Sequence, residues 1–294
     1  MNLQEYIDEK RAVIESSLRG IFATFNTTPD VLREAMEHSL FSQGKRVRPV
    51  LTLASCDALG GDIRKALPFG CAIEMIHTYS LIHDDLPSID NDDLRRGKPT
   101  CHKAFGEAVA ILAGDALLTE AFRVMADPRF TKDVPPQTVQ AIVYEVARAA
   151  GGEGMVAGQV MDVLYEGQNT TTDVLNFIHE NKTAALIRAS VRVGAMVAGA
   201  DAKQLDQISR FGQSVGLAFQ IRDDLLDAEG DEARVGKRVR KDTAKQTYVK
   251  HYGIEASKKR IDELTESTVQ SVAFLGDRAE VLVALARRMG KRSS

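Results

Sequence analysis

Two stretches of this chain crowd carboxylates into a few residues. The first runs from Leu81 to Pro99. It holds Asp84, Asp85, Asp90, Asp92 and Asp93, with Arg95 and Arg96 just behind them. The second, FQIRDDLLD, runs from Phe219 to Asp227. Like charges at that density repel unless something neutralises them. On an α-helix Asp223, Asp224 and Asp227 fall at about 0°, 100° and 40°, so the three share one face, with Asp223 and Asp227 a turn apart. Oxygen donors so arranged suit Mg²⁺, a hard cation that binds few carboxylates and keeps several waters. The first cluster is built differently. Asp84 and Asp85 end a helical run, and Pro87 is not accommodated in a helix interior. The break is expected to turn the chain so that Asp90 returns beside Asp84. One acidic cluster alone reads most simply as a solvated helix end. Two, each following an apolar helix, favour a metal.

Mg²⁺ held by few carboxylates shares its sphere with phosphate oxygens, so cations that bind phosphate are the next thing to seek. Lys45, Arg46 and Arg48 lie in GKRVRP, and Lys182-Thr183 heads a long apolar run. Lys237, Lys241 and Lys245 follow the second acidic cluster. Arginine forks match pairs of phosphate oxygens, and lysine supplies a point charge. Each group taken singly is an ordinary surface charge. A basic segment close behind each acidic cluster implies a substrate with a diphosphate, or two such substrates. His77 lies two turns before Asp84 on the same face, where core packing and ligand contact both stand as readings. Neither GxGxxG nor GxxxxGK[ST] occurs, which disfavours Rossmann and P-loop nucleotide sites.

The elements that must position these groups are helical. Phe69 to Leu86 is apolar or small at most positions, with Pro68 suited to a first turn. Gly106 to Met125, Thr172 to Ala200 and Lys203 to Asp227 are also longer than strands, and period-two alternation is scarce. Pro29, Gly60-Gly61, Pro128, Pro135-Pro136, Gly151-Gly152, Gly230 and Gly276 mark the breaks. The pattern predicts about ten to twelve helices in an all-α fold, a single domain over residues 1–294. Of the 294 residues, 44% are apolar and 27% charged, an ordinary globular balance. A net charge of −3 gives no basic field for nucleic acid or anionic lipid. The opening MNLQEYIDEKR lacks a signal-peptide pattern, and no apolar run reaches the roughly 18 residues that span a bilayer. Cys56, Cys71 and Cys101, an odd count without CxxC spacing, read as the reduced thiols of a cytoplasmic protein.

Several segments together carry a family resemblance. They are GKRVRP (44–49), EMIHTYSLIHDDLPSIDNDDLRRGKPT (74–100), GDALL (114–118), GMVAGQVMD (154–162), KTAALI (182–187), and FQIRDDLLD with GK (219–227, 236–237). Over nearly the whole chain the sequence resembles the trans-isoprenyl diphosphate synthases, most of all the bacterial farnesyl diphosphate synthases. The resemblance implies a large helical bundle around a deep central cavity, usually in a homodimer. Asp84, Asp90 and Asp223 resemble the Mg²⁺ ligands, for three ions, and the remaining motif aspartates resemble outer support. Arg95, Lys182, Thr183, Gln220 and Lys237 resemble the residues that hold an allylic diphosphate. Lys45, Arg48, His77 and Arg96 resemble those that hold isopentenyl diphosphate. The implied reaction is ionisation of the allylic diphosphate, attack by the double bond of isopentenyl diphosphate, and proton loss to the released diphosphate.

Tyr79 and Ser80, five and four residues before the first motif, are implied to set the depth of the product tunnel. Ser80 is one turn below Asp84 and offset by about 40°, which suits a lining position on geometry alone. Tyr79 is offset by about 140°. Its role as the tunnel floor rests on the resemblance, with plain core packing as the alternative. Val249 follows Tyr248 where many relatives carry proline, Asn91 interrupts the aspartate run, and the tail ARRMGKRSS is expected to be solvated. A class I terpene cyclase needs no second diphosphate cradle. A geranylgeranyl diphosphate synthase differs mainly near Tyr79. A non-catalytic regulatory subunit usually loses an acidic motif, and both survive here.

Overall fold

The long apolar runs fold as helices because their buried positions recur at helical spacing. The computed structural model describes residues 2–229 and 246–291. The first helix, α1 (Leu3–Phe22), starts where the Asn2 side chain accepts the backbone N–H groups of Gln4 and Glu5. It is followed by α2 (Asp30–Leu40) and α3 (Val47–Ala58). The central α4 (Ile63–Asp84) begins earlier than the sequence pattern predicts. Asp62 caps it by accepting from Arg64 N–H, and Pro68 sits inside the helix rather than in its first turn. A proline there forfeits one i→i−4 bond. The unbroken buried run from Pro68 to Ile76 offsets that loss.

A hairpin separates α4 from the next helices. Its strands, β1 (Leu94–Arg95) and β2 (Lys98–Pro99), pair antiparallel. The two residues between them, Arg96 and Gly97, have φ of 54° and 76°, the signature of a type I′ turn. Beyond it lie α5 (Cys101–Phe105), α6 (Glu107–Ala126), α7 (Pro128–Thr131), α8 (Pro136–Ala150) and α9 (Met155–Leu164). The helix expected from Thr172 to Ala200 is interrupted. Here α10 (Thr172–Ile178) passes through a π-helical turn, His179–Ala184, into α11 (Ala185–Val197). The long α12 (Ala202–Glu229) carries the second acidic cluster, and α13 (Tyr248–Tyr252), α14 (Ile254–Ser271) and α15 (Glu280–Lys291) complete the described chain.

The fold is all-α apart from that hairpin. In α4, Phe69, Ile73, Met75 and Ile76 are fully buried, each contributing on the order of 1.5–3 kcal/mol by leaving water. The helix packs mainly on α6 and α3, and α11 joins α3 to α12. A small residue sets one of these distances: a Cβ on Gly194 of α11 would lie 2.1 Å from the Thr52 carbonyl of α3. One apolar cluster runs from Tyr6 to Met289. A smaller one joins Leu217, Ile221 and Leu225 of α12 to Ile261 and Leu264 of α14. Among the described residues no helix is long and apolar enough to cross a membrane.

Candidate active site

The helix ends that carry the acidic clusters open onto one cavity of about 1300 Å³. Asp84 and Asp90 line it from the first cluster, and Asp223, Asp224 and Asp227 from the second. Lys45, Arg48, His77, Arg95 and Arg96 line it too, as do Lys182, Thr183, Gln220, Tyr79 and Ser80. Lys237 lies outside the described residues, as do Lys241 and Lys245.

At the first cluster the chain turns back as expected after Pro87. The Asp90 N–H donates to the Asp84 carbonyl at 2.8 Å, and Asp92 N–H donates to the Asp85 carbonyl at 3.2 Å. Asp85 is 3% exposed. Arg95 grips it, with Nε 2.8 Å from both carboxylate oxygens and Nη2 2.5 Å from Oδ1. Burial lifts the Asp85 carboxyl above its ordinary range although Arg95 opposes the shift, while Asp85 helps hold Arg95 protonated. Arg95 is therefore both a cavity residue and the counterion of a buried aspartate.

GKRVRP divides its labour. Arg46 is not available to a phosphate: it is 2% exposed. Its guanidinium reaches Glu15 at 2.6 Å, Glu74 at 3.0 Å and the Leu40 carbonyl at 2.6 Å. Burial disfavours its charge, but Glu74 and Glu15 outweigh that and keep it protonated. Arg46 also adopts the left-handed conformation, φ 50° and ψ 38°, at the start of α3, a cost of roughly 1–3 kcal/mol for a residue with a Cβ. The buried ion cluster holds it there and so aims its neighbours Lys45 and Arg48 at the cavity. The sequence could not separate Arg46 from them, because all three look alike until Glu15 and Glu74 are brought up from other helices.

Arg48 and His77 present unpaired nitrogens. Arg48 Nε and His77 Nδ1 are buried with no hydrogen-bond partner. Burial pushes Arg48 down to about 10, against the pull of Glu74. Burial, with Arg48 and Arg96 adding to it, holds His77 well below its usual range, so its ring is neutral. A buried donor without an acceptor costs about 1–3 kcal/mol. An anion in the cavity could supply the acceptor that Arg48 Nε lacks.

The opposite wall is built on the π turn. Gly158 of α9 lets the two backbones meet, since a Cβ there would lie 2.2 Å from Lys182 N. Lys182 Nζ pairs with Asp162 Oδ2 at 2.5 Å. Thr183 donates its hydroxyl to Gln220 Oε1 at 2.7 Å, and Gln220 Nε2 donates to Asp224 Oδ1 at 2.9 Å. Asp224 Oδ2 accepts the Tyr248 N–H at 2.7 Å. Asp224 is 6% exposed: of the three carboxylates on that helical face, it is the one turned inward as a support. His179 Nε2 stands 3.5 Å from Asp224 Oδ2. Burial pushes His179 down to about 4, with Asp162 opposing, so the contact is polar and not an ion pair at neutral pH. Gln159 escaped the sequence reading. Both its amide atoms are buried without partners, and its place in GMVAGQVMD, three residues before Asp162, is the signal that marks it.

The donor set fits magnesium. Asp84, Asp90 and Asp223 offer only carboxylate oxygens, the ligands a hard cation prefers. Among the described residues no three His, Cys, Asp or Glu side chains converge tightly enough to hold a metal alone. A cation held by these carboxylates would keep part of its sphere for water or phosphate, as Mg²⁺ does.

Comparison with known proteins agrees with this arrangement. A family model described as polyprenyl synthetase matches residues 29–277. The chain is 46% identical over 263 residues to a farnesyl diphosphate synthase of Geobacillus stearothermophilus, covering 89% of this chain and 88% of that protein. It is 44% identical over 288 residues to a geranylgeranyl diphosphate synthase of Cyanophora paradoxa, covering 97% and 95%. The crystal structure of a geranyltransferase from Legionella pneumophila superposes with a TM-score of 0.89 at 33% identity, covering 99% of this chain and 98% of that one. This chain belongs to the polyprenyl synthetase family. It is a prenyltransferase of the kind that joins isopentenyl and allylic diphosphates, a family that works with Mg²⁺.

Proposed function

We propose that residues 1–294 form one polyprenyl synthetase domain that makes (E,E)-farnesyl diphosphate. It adds isopentenyl diphosphate first to dimethylallyl and then to geranyl diphosphate. The observation that carries the product length is Tyr79, a bulky aromatic 6% exposed at the cavity wall. Filling that position with a ring stops the growing chain at fifteen carbons.

In this reading Asp84 and Asp90 face Asp223 across the cavity as the Mg²⁺ ligands. Magnesium bound there supplies the positive charge that steadies a departing diphosphate. Arg95 and Lys182, with Lys237, hold the allylic diphosphate; Lys45, Arg48, His77 and Arg96 hold isopentenyl diphosphate. Positive charge develops on the allylic carbon as its C–O bond breaks. The oxygens of Thr183 and Gln220, already aligned by their mutual hydrogen bond, are preorganised to stabilise it. The isopentenyl double bond forms the new C–C bond, and a proton passes to the released diphosphate. Apolar cavity residues such as Val156, Val160 and Phe219 keep water from the cation.

A homodimer is part of the same proposal. Ile111 and Leu112 of α6 and Tyr144 of the neighbouring α8 are 43%, 57% and 67% exposed, a surface suited to a second copy and checked by light scattering. A reduced, cytoplasmic setting is supported by three buried cysteines that are all free. The deciding assay is incubation with labelled isopentenyl diphosphate, dimethylallyl diphosphate and Mg²⁺, then chromatography of the dephosphorylated products. A dominant fifteen-carbon alcohol is expected. A dominant twenty-carbon alcohol would instead favour the geranylgeranyl type, to which the chain is similar at 44% identity, and no prenyl product would favour a regulatory subunit.

A further inference from the structure

Helix α4 turns two neighbouring faces toward the cavity. Asp84, Ser80 and His77 follow one. Tyr79 is off that face by about 140°, but it lies within about 40° of His83, one turn further on. The rings of Tyr79 and His83 meet edge to face, with centroids 5.7 Å apart and planes at 83°. The Tyr79 ring is 6% exposed, so its orientation is set by what packs against it.

His83, by contrast, is tethered from outside its own helix. Its Nε2 donates to the Ile111 carbonyl of α6 at 3.1 Å and lies 3.9 Å from Asp115 Oδ1. The space for the ring exists because residue 114 of α6 is glycine. A Cβ there would lie 2.1 Å from His83 Nε2 and 2.5 Å from Cδ2, closer than non-bonded atoms approach. The ring therefore sits in a notch whose floor is backbone, bonded on one side to α6 and pressed on the other against Tyr79. His83 also lines the cavity with Tyr79.

We infer that His83, lodged in the Gly114 notch, is a positioning residue for product length: it holds the Tyr79 ring across the cavity and so fixes where chain growth stops. The inference rests on the proposed role of Tyr79 as the floor. It assigns His83, the residue next to the metal-facing Asp84, to length control through α6 and not to the metal. Without the buttress the Tyr79 ring is free to turn aside, and the cavity deepens without loss of a cavity-lining aromatic.

The test is the ratio of twenty- to fifteen-carbon product in five variants, read by chromatography with dimethylallyl diphosphate as starter. His83→Ala is expected to raise the ratio about tenfold, the scale on which an apolar pocket responds to a small change in shape. His83→Gln, which retains a donor for the Ile111 carbonyl but no ring, is expected to fall between. Gly114→Ala must displace the ring and so departs from the parent ratio. Should that variant not fold, Gly114→Ala/His83→Ala removes the collision and is expected to match His83→Ala, the coupling of two sites that act through one contact. A purely structural role would lower melting temperature while leaving the ratio at the parent value, and that result overturns the inference. So does a Gly114→Ala shift that persists undiminished once the His83 ring is gone. Tyr79→Ala separates the two claims. If it lengthens the product and His83→Ala does not, the buttress is wrong and the floor stands; if neither lengthens it, both are wrong.

Discussion

The two acidic regions reach one cavity by opposite means. At the first, α4 stops at Asp84 and the chain folds back on itself, so Asp90 is set by a backbone bond to Asp84. At the second, α12 runs on to Glu229, and helical rotation puts Asp223 and Asp227 on one face a turn apart. The supports differ accordingly. Asp85 is clamped by Arg95, a residue of the same loop and hairpin. Asp224 is held by Gln220 of its own helix and by the N–H of Tyr248, 24 residues on. A broken helix carries its constraint with it. A continuous helix presents its side chains cheaply but borrows rigidity from distant segments.

The strongest way to break this comparison is to remove one carboxylate from each side. Asp84→Ala and Asp223→Ala are each expected to lower turnover about a thousandfold, the scale seen when preorganised charge stabilisation is lost, with circular dichroism unchanged. A large loss on one side only would mean that the sides do not share one load. Next in size is the clamp. Asp85→Ala removes the hydrogen-bonded partner of Arg95, leaving only the Asp92 carboxylate 4.0 Å away, and is expected to cost about 3 kcal/mol of unfolding free energy by denaturant titration. The pH response sharpens the contrast from the second side. His179 sits at about 4 in the folded state, against an ordinary histidine value near 6.5. Its neutral form is the one that folding favours, so its contribution is complete above pH 6.5 and is lost as pH falls toward 4. Between pH 7 and 5 the parent should lose about 2 kcal/mol more than His179→Phe. The smallest effect is expected from Asp224→Asn, about 1 kcal/mol, because its amide can accept from only one of the two N–H donors that Asp224 holds. Its signature is a rise in KM or fall in kcat through Gln220, with Asp223 still able to bind the cation.

What was legible in the sequence follows the same division. The second cluster could be placed by a helical wheel, because α12 is regular. The first could be anticipated only as a break at Pro87, and the hairpin that carries Arg95 and Arg96 was invisible: two-residue strands leave no alternation to read, and Arg96-Gly97 is the whole of the turn signal. The start of α4 was misplaced since Asp62 and the buried surface beyond Pro68 outweigh the local preference of proline. The interruption of the helix over 172–200 was missed because hydrophobic period cannot register one extra residue in a turn. Partners from far along the chain, such as Glu74 for Arg46 or Tyr248 for Asp224, decide which of several like charges faces the cavity, and no local pattern encodes them.

That extra residue has a consequence for how the catalytic wall tolerates change in length. A π turn accommodates one residue more than the α-helix around it. Deleting a single residue from 179–184 would let the segment relax into an uninterrupted α-helix and swing the side chains on one flank by about 100°. Because α11 is locked against Thr52 at Gly194, the swing must fall on the flank that bears Leu175, Ile178 and His179, all of them buried. A chain shortened here is expected to lose stability along with activity, because those buried side chains would be turned out of their packing.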